Sequence, residues 1–484
     1  MEIDFNSMAQ CVKNQQNSEL SGLFNMKLTE NGDLTHKSTG NHLVDLIFQA
    51  EYYQKNLNKV TIGDSDVEKL FAMFIRDPRH GMKYRNLGRV LMRKAHLSPE
   101  AVAFAGRFDD LWESPINEEF CDEWIAFLFE QCREGNQLAK KWMPHYVASK
   151  NGKVADSTIM ASHMRKLLGM NKQEYNQFVK CPTVESKLSQ HQNDAIEFDK
   201  IPSLALLKYW ARFAGTSKNN PKTDMAERFN AYLESVKKGE KKMNFSTATV
   251  YDIYRNADKI DADLAFAQIE KISGNWIPVV DTSSSMFDED AMGKALSIGH
   301  YLGKTSTYCP NQVITFSSTP HLITLGESHS HRQYGFYNYG GNKIPHDNGK
   351  LYNKEIRSMY TGDCSNTDFA AVMRLLRGLK TEFPEYLVVL SDMEFDRGSY
   401  QATNMETMKQ WRSQGIKTKL VWWNFNSRNK TSPQAIRVDD YGSIFLSGYD
   451  PTMLKFLACG FNGETFIAKL LTEYAKNIPN DMVL

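Results

Sequence analysis

The stretch Ile277-Pro-Val-Val-Asp281-Thr-Ser283-Ser-Ser285-Met286 decides how this chain is read. It is a short apolar run that breaks into D-x-S-x-S. Its length and its β-branched residues predict a buried strand, and the polar residues that follow predict a loop leaving that strand. One carboxylate and two hydroxyls at this spacing can hold one hard divalent cation. Mg²⁺ takes oxygen ligands in octahedral geometry and keeps several waters, so few protein groups are needed.

Downstream of Ser273-Gly274 strands alternate with helices. Strands are predicted at 276–281, 312–318, 321–325, 386–392, 417–425 and 443–447. Helices are predicted at about 289–303, 366–380, 402–414, 451–459 and 464–477. Tyr386-Leu-Val-Val-Leu390 and Leu420-Val-Trp-Trp423 read as strands buried on both faces, the pattern of a mostly parallel sheet between helix layers. The short step from Val313-Ile-Thr-Phe316 to His321-Leu-Ile-Thr-Leu325 predicts one antiparallel edge strand. Residues 326–361, rich in Gly, Asn, His and Tyr, form an insertion longer than an ordinary connection.

Upstream the period is helical. Val67, Leu70, Phe71, Phe74 and Ile75 fall at i, i+3, i+4, i+7 and i+8, and Ile159, Met160, Met164, Leu167 and Leu168 do nearly the same. Breakers such as Asp77-Pro78, Met143-Pro144 and Ile201-Pro202 separate these runs. The expected organisation is a polar N-terminal arm at 1–40, an all-helical array of about ten to twelve short helices at 41–273, and an α/β domain at 274–484.

The chain has 484 residues, too many for one core. Its 58 Lys and Arg nearly cancel 57 Asp and Glu, so any nucleic-acid binding must use local patches. The seven cysteines are scattered and form no C-x-x-C, which argues for a reducing compartment and against a structural zinc site. The acidic start Met-Glu-Ile-Asp lacks an apolar signal region, and no run approaches 18 apolar residues. A cytoplasmic protein with no membrane partner is expected.

Ligands of an open parallel sheet gather at the carboxyl ends of its strands. Three loops meet that rule: Asp281-Thr-Ser283-Ser-Ser285, Gly362-Asp-Cys-Ser-Asn-Thr367-Asp368, and Leu390-Ser391-Asp392. The candidate metal set is Asp281, Ser283, Ser285, Thr367 and Asp392. The blander reading is an N-cap, with Asp281 or Ser283 capping the next helix. Asp288, Glu289, Asp290 and Asp368 read as acids at helix starts.

The order and spacing of these five residues resemble the metal-ion-dependent adhesion site of von Willebrand factor A domains. The resemblance implies that Ser283, Ser285 and Thr367 ligate Mg²⁺ directly or nearly so, that Asp281 and Asp392 act mostly through water, and that an acidic side chain of a protein partner fills the last position. Mn²⁺ or Ca²⁺ are alternatives.

Further segments resemble a group of uncharacterised proteins, the DUF2828 type: Ser38-Thr-Gly-Asn41, Ile75-Arg-Asp-Pro-Arg-His-Gly81, Gly106-Arg-Phe-Asp-Asp-Leu-Trp112, Tyr232-Leu-Glu-Ser-Val-Lys-Lys-Gly-Glu240, Val250-Tyr-Asp-Ile253 and Leu446-Ser-Gly-Tyr-Asp-Pro451. That group is related to the Ro/TROVE proteins, in which a ring of HEAT-like helical repeats is closed by a von Willebrand factor A domain and binds small non-coding RNAs. The resemblance implies the same architecture here, with RNA binding as a function.

The local candidate for RNA is Arg76, Arg79, His80, Lys83, Arg85 and Arg89, a cluster suited to phosphates. The alternative is a helix end with dipole-compatible cations. Lys140, Lys141, Lys150 and Lys153 form a second basic group. His163 reads as a core histidine. Motifs of nucleotide hydrolysis, nucleophilic-serine and zinc-protease chemistry are missing, and Ser283 has no evident base, so no enzyme is expected. Two readings follow: a Ro-like scaffold holding RNA and recruiting a protein through Mg²⁺, or a protein-only adaptor that grips an acidic partner residue.

Overall fold

The computed structural model describes residues 26–28, 34–36, 38, 40–113, 122–147, 156–181, 183–216, 224–245, 247–316, 319–327, 344–346, 349–360, 368–379, 382–393, 404–425, 443–451, 453–454 and 463–484. The chain forms two compact units that interleave in sequence. The first comprises 1–55, 202–221 and 231–470, and the second 56–201, 222–230 and 471–484.

Within the first unit, β1 (Met26–Leu28) and β2 (Leu34–His36) pair as a small antiparallel hairpin. The main sheet contains β3 (Trp276–Asp281), β4 (Gln312–Phe316), β5 (His321–Thr324), β6 (Tyr386–Ser391), β7 (Lys419–Asn424) and β8 (Ser443–Ser447). Their order is β5-β4-β3-β6-β7-β8. All pairs are parallel except β4–β5, so the expected antiparallel edge strand is present.

The strands are buried because helices cover both faces. On one face the Ala291–Thr305 helix lies over Val280 and Leu390, and Gly299 permits the approach. On the other the Phe369–Leu379 helix sets Phe369 against Trp422, ring centroids 5.1 Å apart. Near the β8 edge, Phe48 meets Phe445 edge-on at 5.4 Å, and Asn424 donates to the Phe48 carbonyl at 3.3 Å. The helices His42–Phe48 and Ala50–Lys55 therefore belong with the sheet, although their period alone placed them in the helical array.

The topology has one switch point. From β3 the chain proceeds to β4 on one side, and from β6 it proceeds to β7 on the other. The carboxyl ends of β3 and β6, adjacent in the sheet, thus border the crevice where open α/β sheets bind ligands.

The second unit is helical. Fourteen α-helices lie between His42 and Ala267 among the described residues, those of this unit being short and unequal in length. Helices Asp66–Arg76 and Arg85–Lys94 pack closely at Gly88, where a β-carbon would stand 2.5 Å from Arg76 Cβ. Regular HEAT-like repetition is not evident in these elements. The segment predicted as a helix at 451–459 falls mostly outside the described residues.

Candidate metal site at the sheet switch point

Asp281 ends β3 and is fully buried. Its Oδ1 accepts the Ser283 amide at 2.9 Å, which turns the chain out of the strand. Ser283 Oγ then stands 3.1 Å from Ser285 Oγ. Ser283 occupies the N-cap position of the 3₁₀ turn Ser284–Asp290, yet its side chain makes no capping hydrogen bond. The capping alternative predicts that bond for Ser283, whose hydroxyl instead faces its partner hydroxyl, while Asp281 does accept a backbone amide, that of Ser283.

The neighbouring strand supplies the second carboxylate. Asp392 follows β6 and is 2% exposed. Ser391 Oγ donates to Asp281 Oδ2 at 2.6 Å and accepts the Met393 amide at 3.0 Å. Met393 has a positive φ of 67°, so the chain turns sharply past Asp392. Burial, and then the nearby Asp392 carboxylate, push Asp281 up to about 7, while hydrogen bonds from Ser391 and Ser283 pull the other way.

This donor set contains only hard oxygens: two hydroxyls and two buried carboxylates. Burial and the Asp392 carboxylate raise the cost of ionising Asp281, and a divalent cation is a counter-charge that offsets it. Mg²⁺ fits the set, with Mn²⁺ and Ca²⁺ sharing the preference for oxygen. Asp281, Ser283, Ser285 and Asp392 would hold it. Thr367 lies outside the described residues, as does Asp363.

The nearby acids serve other ends. Asp290 has φ 61° and accepts the Tyr251 hydroxyl. Asp368 Oδ1 accepts the Ala371 amide at 3.0 Å and its Oδ2 pairs with Arg374 at 3.1 Å, so it caps the Phe369 helix as expected. The residue that sequence reasoning passed over is Ser391. Its only sign in the sequence is a hydroxyl directly before the strand-end acid.

The basic cluster needs correction. Arg76 and Arg89 are 3% and 2% exposed, and neither faces solvent. Arg76 pairs with Asp110 at 2.8 Å; Arg89 pairs with Asp110, with Asp109 at 3.1 Å and with Glu113 at 3.0 Å. Arg85 is more open but reaches both Asp109 and Glu113 at 2.7 Å. Burial alone would raise Asp110, but Arg76 and Arg89 outweigh it and hold its carboxyl below the usual range. Arg79 is exposed, donates to the Phe104 carbonyl at 2.7 Å and lies over the Phe104 ring. His80 is exposed and Lys83 half-buried. The six residues thus form no continuous phosphate-facing patch. His163 is exposed rather than in the core, and Lys150 and Lys153 lie outside the described residues.

Among the described residues no helix is long and apolar enough to cross a membrane. Comparison with known proteins places the chain only coarsely. Residues 342–474 match DUF7788, a domain of unknown function, and the match is to that family rather than to the DUF2828 type or to von Willebrand factor A domains. The chain is 22% identical over 532 aligned residues to uncharacterized protein L728 of Acanthamoeba polyphaga mimivirus, covering 94% of this chain and 88% of that protein. It is also similar, at 13% identity and a TM-score of 0.36, to the solved structure of the Ro (RSR) protein of Deinococcus radiodurans, over 98% of this chain and 94% of that one.

Proposed function

We propose that the protein is a non-catalytic binding scaffold in which Asp281, Ser283, Ser285 and Asp392, with Thr367, hold one Mg²⁺ that grips an acidic side chain of a protein partner. The observation that carries this reading is the facing pair of hydroxyls, 3.1 Å apart, beside two buried carboxylates at the switch point of the sheet. Bound there, the cation would offer an electrophilic position to an external carboxylate. The chain's own groups fix the corner: Asp281 through the Ser283 amide, and Asp392 through the turn at Met393.

The test is titration calorimetry with Mg²⁺ and Mn²⁺ on the wild type and on Ser283→Ala/Ser285→Ala, followed by affinity capture from the native host with both baits. Cation binding lost in the double variant, together with one captured protein, supports the reading. Unchanged cation affinity in the double variant overturns it. RNA recovered on both baits and released by salt would favour the Ro-like alternative, in which the chain also carries a small structured RNA.

A further inference from the structure

We propose that Ser391 is a positioning residue of this site, a hydroxyl that ties its two acid-bearing segments together; this rests on the metal reading above. Ser391 is fully buried at the last position of β6. Its Oγ accepts the Met393 amide, which leaves its own proton free to point elsewhere. That proton goes to Asp281 Oδ2, 2.6 Å away on the adjacent strand. The acceptor role clamps the turn that carries Asp392, and the donor role fixes the carboxylate of Asp281. With Oδ1 already held by the Ser283 amide, neither oxygen of Asp281 is free to rotate.

A carboxylate that is anchored at both oxygens presents its remaining lone pairs in one direction only. A cation or its bound water then meets preorganised acceptors and does not have to order them. Groups that orient a ligand from behind in this way usually change metal affinity by about 10–100-fold when removed. Ser391 touches no reacting atom and needs none; its effect passes through Asp281 and Asp392. The requirement is specific: a donor of hydroxyl strength that is also an acceptor, at the depth of a strand end. Alanine supplies neither function, cysteine keeps the volume with a weak donor, and threonine keeps the hydroxyl.

The experiment measures Mg²⁺ and Mn²⁺ affinity by calorimetry for the full chain and for Ser391→Ala, Ser391→Cys and Ser391→Thr. Circular dichroism and melting in chelator check folding. The expected result is affinity weakened about 10-fold or more in the Ala and Cys variants and within about threefold of wild type in the Thr variant. Should the Ala variant fail to fold, the Cys variant carries the test, because it preserves packing. Wild-type affinity in the Cys or Ala variant overturns the proposal while leaving the metal site standing. A Thr variant as weak as the Cys variant also overturns it, assigning the loss to packing. If the wild type itself binds neither cation, the metal reading falls and this proposal with it.

Discussion

Gly299 and Val280 meet so closely that a β-carbon on Gly299 would stand 2.4 Å from Val280 Cγ2. The contact seats the Ala291–Thr305 helix on β3, one position before Asp281. Gly299→Ala forces a shift in a fully buried layer. Overpacking of this kind costs about 1–3 kcal/mol. A fall in the denaturation midpoint without loss of far-UV ellipticity is expected; an unchanged midpoint would show that the helix can retreat without cost.

Asp281→Asn should separate binding from stability. In the wild type, burial and then Asp392 push Asp281 up to about 7, so its ionised form is costly without a cation. The folded state holds its proton above the ordinary carboxylate range. Metal-free stability from this group is therefore present at low pH and is lost as pH rises from the ordinary range through about 7. Asparagine keeps one acceptor where the carboxylate has two, so the variant loses a hydrogen bond at every pH, but in chelator its melting point should fall less than that of wild type between pH 5 and pH 8. Added Mg²⁺ should raise only the wild type. An equal fall from pH 5 to pH 8 in both proteins would contradict the argument.

His300 and Glu355 form a second pH-sensitive contact, away from the metal site. His300 Nε2 lies 2.7 Å from Glu355 Oε2, and Lys304 Nζ lies 2.8 Å from Oε1. Phe266 and Tyr352 pack against the imidazole, and Lys271 faces Phe266. Burial lowers His300, with Glu355 opposing. Burial would raise Glu355, but His300 and Lys304 outweigh it and lower it. Both shifts act in one direction: stability is present above the unfolded histidine value and is lost as pH falls through it and then through the carboxylate range. His300→Gln should flatten the first part of that loss in a melting series from pH 7.5 to pH 5. A series as steep as wild type would rule the histidine out as the cause.

Arg89→Met should destabilise the second unit strongly. The guanidinium pairs with Asp109, Asp110 and Glu113, and its removal takes one counter-charge from each of the buried Asp109 and Asp110, which keep Arg85 and Arg76. Breaking one partner of a buried pair costs about 3–5 kcal/mol. Arg79→Met, at an exposed position, should cost far less. Similar losses in both variants, measured by chemical denaturation, would show that the network is not the source of the effect.

Much of the α/β half was legible because its strands are nearly continuous runs of Val, Ile, Leu and Trp, and both faces of such runs must be covered. Four of the five metal candidates are described, and they lie at or just past the ends of two adjacent strands, β3 and β6. The helical half was less legible. The period of Ile159, Met160, Met164 and Leu167 identifies a helix, yet Ile159 and Leu167 are 57% and 56% exposed, because period alone does not say where the covering layer stops. The arginines looked like a phosphate patch because their partners, Asp109 and Asp110, stand 20 residues and more further along the chain. Ser391 was unreadable for a related reason: what matters is the strand beside it.

The interleaving of the two compact units has a consequence for biosynthesis. The second unit draws its last segment, 471–484, from beyond the whole of the sheet, and includes the Tyr474 hydroxyl that donates to Asp77 at 3.1 Å. Helices made early by the ribosome must therefore wait, incompletely packed, through translation of all six strands. Fragments cut at the change from helices to strands near 273 would each lack part of a core, so neither half should be expressible as an independent folding piece.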